Sequence, residues 1–111
     1  MLPRKLPPEL TAIQFVLVDR ATMAQVHDSF LGDPTETDVI TFPYGEVLVC
    51  PAVAQDRAPE YGVKVEQEVL LYALHGLLHL AGYDDTTPKA AREMEAVQGD
   101  LLERVLRKRI K

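Results

Sequence analysis

The sequence predicts an α+β domain in which a small mixed β-sheet carries a central buried helix and flanking helices. Three observations lead there: short β-rich runs early in the chain, a later helix that is apolar on nearly every side, and a capped amphipathic helix that closes the sequence. Residues 13 to 18, IQFVLV, read as a strand apolar on most positions of both faces, hence interior to a sheet. Residues 22 to 30, TMAQVHDSF, read as a short helix capped by Thr22, and Gly32, Asp33 and Pro34 break it. DVITF at 38 to 42 and EVLVC at 46 to 50 flank Pro43, Tyr44 and Gly45, the pattern of an antiparallel hairpin. Pro51 opens a short helix to about residue 59. The central helix follows at about 64 to 81, where Val65, Val69, Leu70, Leu74, Leu77 and Leu78 leave it little polar surface and place it at the domain centre. Thr87 and Pro88 are the cap and first position of a last helix to about 108, with Met94, Val97, Leu101 and Val105 facing inward and Gly99 weakening it locally.

With 111 residues, no repeat and no linker, the chain is expected to be one domain, 1–111, with one site. A lone cysteine, Cys50, excludes an internal disulfide and any Cys-rich zinc cluster, which suits a reducing cytosol, and reads as a buried thiol. MLPRKLPPEL at the start has no apolar run of signal-peptide length. The longest apolar run, 69 to 81, contains two histidines and falls short of the ~20 residues a membrane span needs, so a cytoplasmic protein without a membrane role is expected. The formal net charge is −5, yet Arg104, Arg107, Lys108, Arg109 and Lys111 place five cations in the last eight residues, leaving the rest at −10. That balance excludes generic electrostatic binding of nucleic acid over most of the surface. Any RNA contact must be local, from a metal, a helix N-terminus or the basic tail. The tail reads equally well as a solvated helix end whose cations offset the helix dipole.

The stretch HGLLHLAGYDD at 75 to 85 carries the chemistry. His75 and His79 lie one turn apart on one helix face, and Gly82 tolerates the positive φ with which a chain leaves a helix and doubles back, returning Asp85 toward the imidazoles. Three protein ligands leave a fourth position open, the mark of a catalytic zinc site. Two imidazoles on a buried helix need partners, and a shared metal satisfies both; hydrogen bonds to a neighbouring strand do so too.

HGLLHLAGYDD resembles the HGxLHLxGYDH signature of the YbeY endoribonuclease family of bacterial rRNA maturation factors, agreeing at ten of eleven places with the free ones counted. TDVITFP at 37 to 43 is similar to that family's TDVLSFP, and Gly45 to Val49 to its GDIxI; Glu68, Met94 and Gln98 agree further. The resemblance implies a zinc-dependent, single-strand-specific endoribonuclease that matures small-subunit ribosomal RNA and serves ribosome quality control. Its partners would be single-stranded rRNA and the small ribosomal subunit. It also implies a metzincin-like arrangement of helix and sheet, with one Zn2+ held by His75, His79 and, in place of the family's third histidine, Asp85.

Three departures bear on that expectation. Asp85 adds a negative charge; a carboxylate is an accepted zinc ligand, but it leaves the metal a weaker Lewis acid and shifts preference toward harder ions. The family's arginine before TDV aligns with Leu31, which cannot neutralise a phosphate. The longer insertion that many members carry between the hairpin strands is absent here.

In HExxH peptidases the residue after the first histidine is the general base, whereas here it is Gly76. The base for hydrolysis is therefore sought among Asp84, Asp38 and Glu68, each of which reads equally as an outer acceptor for an imidazole N–H. His27 is expected to be a surface or partly packed residue, and Tyr83 either packing or a base-stacking platform. Three functions follow in order: the endoribonuclease, a ribosome-associated module that keeps the metal for stability without catalysis, and, weakest, a small metallopeptidase.

Overall fold

The computed structural model describes residues 6–110, with side chains through Arg107. The elements run β1 (Gln14–Leu17), α1 (Arg20–Leu31), β2 (Val39–Phe42), β3 (Glu46–Val49), α2 (Pro51–Tyr61), α3 (Val65–Leu80) and α4 (Pro88–Ile110). The expected α+β class is what forms: a three-stranded mixed sheet in the order β1-β3-β2, with β3 parallel to β1 and antiparallel to β2.

Two local expectations are corrected. β1 is an edge strand, not an interior one. The return strand of the hairpin, β3, pairs on both sides and takes the centre, while α3 packs over β2 and β3. Val16 and Val18 reach the apolar cluster around Met23, but Phe15 and Leu17 on the alternate face remain 46% and 63% exposed. The cap of α1 is Asp19, not Thr22: the Asp19 carboxylate accepts the Thr22 N–H at 2.7 Å, so the helix begins two residues earlier.

The rest follows the sequence closely. Pro51 opens α2, whose end is set by Gly62 at φ 66°. Thr87 caps α4, its Oγ1 accepting the Ala90 N–H at 3.0 Å, and Met94 and Leu101 are buried against Leu74, Leu78 and Tyr83. Cys50 is fully buried. No described helix is long and apolar enough to cross a membrane.

α3 is the central helix, packed against α2, α4, β2 and β3. Gly76 is what lets it lie so close to the sheet. A Cβ there would sit 2.5 Å from Val47 Cγ1 and 3.0 Å from Thr41 Oγ1. Gly76→Ala should therefore lower stability by about 1–3 kcal/mol through overpacking, despite alanine's better helix propensity, and thermal unfolding measures it. At the other end, the Tyr83 N–H bonds the Leu78 carbonyl at 3.0 Å and Gly82 adopts φ 93°. This turn reverses the chain, as the glycine predicts, and brings residues 83 to 85 back along the helix end.

Candidate metal centre

The turn after α3 places one ligand atom each from His75, His79 and Asp85 within 4.8 Å of one another. The imidazoles face each other edge to face, with ring centroids 4.7 Å apart and Nε2 atoms separated by 3.1 Å. His75 is oriented from behind: its Nδ1 meets Gln98 Oε1 of α4 at 2.8 Å, and with the amide oxygen accepting, the Nδ1–H is fixed and the Nε2 lone pair points toward His79. Burial, then the neighbouring His75, lowers the His79 pKa, with Asp85, a hydrogen bond to the Tyr83 backbone and Asp84 opposing. Neutral imidazole is the form that ligates metals. Two such nitrogens and an exposed carboxylate form a three-atom donor set of the kind that fits a divalent ion of the zinc class.

This group borders a cleft of about 760 Å³ lined by His75, His79, Asp38, Thr41, Phe42 and Leu31, among others. Leu31 is 68% exposed on its lip. Phe30, Phe42 and Tyr44 form a continuous aromatic row beside it, with centroid spacings of 5.0 and 5.5 Å.

The three carboxylates considered as bases fall in different places. Asp38 lines the cleft with both histidines; one oxygen accepts the Val39 N–H at 2.8 Å and the other the Arg57 guanidinium at 3.1 Å. Glu68 is buried two turns before His75 and lines a second cavity, beside Tyr72, whose phenol pKa burial and then this carboxylate drive well upward. Asp84 accepts the Thr86 N–H at 3.2 Å and its hydroxyl at 2.9 Å. His27 is half-buried and pairs with the Thr35 carbonyl at 2.7 Å, outside the ligand group. Tyr83 is packing: it lies in the core with Leu78 and Met94, too enclosed to stack on a base. In the basic tail, Arg104 pairs with Asp100 at 3.1 Å and Arg107 with Glu103, each one turn back along α4. The side chains of Lys108, Arg109 and Lys111 lie outside the described residues.

Two residues acquire roles that the sequence alone left unassigned. Gln98 had a signal, being a polar residue on the inward stripe of α4 between Val97 and Leu101. Arg57 had none, because its pairing with Asp38 spans 19 residues and depends on how α2 meets the hairpin. Gln98→Ala should lower metal affinity about 10- to 100-fold without unfolding the chain, as titration against a chromogenic chelator will measure.

A helix carrying two histidines one turn apart, a carboxylate returned by a glycine turn, and a small mixed sheet behind them define a compact α+β protein with a three-ligand candidate metal centre. The chain belongs to the YbeY endoribonuclease family: the family model, described as Endoribonuclease YbeY, matches residues 3–106. The Endoribonuclease YbeY of Renibacterium salmoninarum is 37% identical, over 83% of this chain and 69% of that protein. That of Acidothermus cellulolyticus is 35% identical over 84% and 70%, and that of Rhodococcus erythropolis 36% over 82% and 61%. The solution structure of TM1509 from Thermotoga maritima has the same fold, with a TM-score of 0.69 and 35% identity over 86% of this chain and 69% of that one.

Proposed function

We propose that this chain is a single-domain, zinc-dependent endoribonuclease that cuts single-stranded RNA, acting in the cytoplasm on small-subunit ribosomal RNA during maturation and ribosome quality control. The observation that carries this reading is the convergence of His75, His79 and Asp85 beside an open cleft in a member of an endoribonuclease family.

When bound, a zinc-class ion supplies Lewis acidity toward a phosphoryl oxygen and acidifies water for attack. His75, His79 and Asp85 are the residues that would hold it. Gln98 keeps His75 in the tautomer that offers Nε2. Asp38 is the carboxylate we assign to proton handling, because of the three candidates it is the one that lines the cleft with both histidines. Its Arg57 and Val39 partners hold it in one orientation. Gly76, buried against Val47 and Thr41, supplies no base, which argues against peptide hydrolysis.

The test is metal analysis of the purified protein together with cleavage of single-stranded RNA. We expect about one zinc per chain and cleavage abolished by chelation and restored by zinc. A second reading, a ribosome-associated module that retains the metal without catalysis, is favoured by Leu31 on the lip of the cleft. Full metal occupancy with no RNA hydrolysis selects it.

A further inference from the structure

A second cavity, of about 440 Å³, opens beside the first, and Asp38 and His75 line both. A strand bound at the candidate metal centre can therefore extend into either. Two carboxylates line each, Glu9 and Asp38 in the first and Asp38 and Glu68 in the second, and what separates them is a cation. Among the described residues that line them, Arg57 is the one lysine or arginine, and it belongs to the second cavity. One guanidinium nitrogen meets Asp38 and the group also faces the Tyr72 hydroxyl, yet it is half-exposed and its five N–H donors are enough to serve a further acceptor. Tyr61, one turn further along α2, is 68% exposed at the rim of the same cavity. Inside, Gln67 and Gln98 offer amides, and the buried Tyr72 hydroxyl lies between Glu68 and Arg57, both of which interact with it. A cation, an open aromatic face and hydrogen-bonding groups within a partly apolar pocket are the components with which proteins hold a nucleotide of a single strand.

We propose that this cavity is a nucleotide subsite for single-stranded RNA, in which Arg57 meets a backbone phosphate and Tyr61 stacks on the adjoining base. It rests on the endoribonuclease reading for its ligand. It also supplies, from α2, the cationic contact that Leu31 does not make.

The experiment uses zinc-loaded full-length protein, a short fluorescein-labelled oligoadenylate for cleavage, and its 2′-O-methyl analogue for binding by anisotropy. Tyr61→Ala should raise Kd and KM about tenfold with kcat unchanged, while Tyr61→Phe behaves as wild type because stacking does not use the hydroxyl. Arg57→Ala should weaken binding and lower the slope of log Kd against log salt by about one, a readout that a merely structural role of Arg57 does not move. Zinc content is expected to be equal in all four proteins. Wild-type affinity and salt slope in both alanine variants overturn the subsite, as does loss of affinity accompanied by loss of zinc, or a wild-type protein that does not bind the strand. Binding that weakens as expected in a protein that never cuts supports the subsite and refutes the endoribonuclease reading, so the two fail separately.

Discussion

Asp85→Ala is expected to leave a folded protein that no longer retains zinc through dilution and no longer cuts single-stranded RNA. The affinity loss should exceed the roughly 100-fold that removal of an outer partner such as Gln98 costs, because a ligand atom itself is deleted. Asp85 is exposed in the segment after α3, so its side chain contributes little to the core and the variant separates ligation from folding. The companion variant Asp85→His tests the chemistry. Three neutral imidazoles make a stronger Lewis acid than two and a carboxylate, so cleavage per bound zinc should rise. Inductively coupled plasma analysis and initial cleavage rates, measured on the same preparations, check both.

Removal of the metal is expected to have the largest effect on stability. The imidazoles of His75 and His79 face each other with Nε2 atoms 3.1 Å apart in a half-buried setting, and a shared ion relieves both of the need for a proton between them. At free zinc a thousandfold above Kd, linkage contributes about 4 kcal/mol. For a chain of this size that shifts Tm by about 10–20 °C. Differential scanning calorimetry with and without a chelator should show that fall, and its reversal on adding zinc. The drop should be absent in His75→Ala, whose Tm already lies near that of the metal-free wild type.

Much of this was legible in the sequence, for a physical reason that differs from element to element. The hairpin, α3, α4 and the start of α2 are each delimited by residues acting locally: Gly45 at the turn, Pro51 before α2, Gly82 at the end of α3, Thr87 before α4; the end of α2, expected near residue 59, falls at Tyr61, where Gly62 turns the chain at φ 66°. The candidate ligands were legible because helical periodicity and one glycine turn suffice to bring them together. β1 departs from its expected interior place because an apolar strand looks the same at an edge as at the centre, and only the pairing of β3 with both neighbours decides. Asp19 is hard to distinguish as the cap because Thr22, also a good capping residue, lies three positions on, and its N–H is the donor. The Arg57–Asp38 pair joins α2 to the hairpin, a contact no local pattern announces.

The most direct test of the account is a crystal of the zinc-loaded protein with diffraction recorded on both sides of the zinc absorption edge. One anomalous peak per chain is expected, about 2.0–2.2 Å from Nε2 of His75, Nε2 of His79 and a carboxylate oxygen of Asp85. A map with no peak there, or with Asp85 turned away from an ion bound elsewhere, contradicts it.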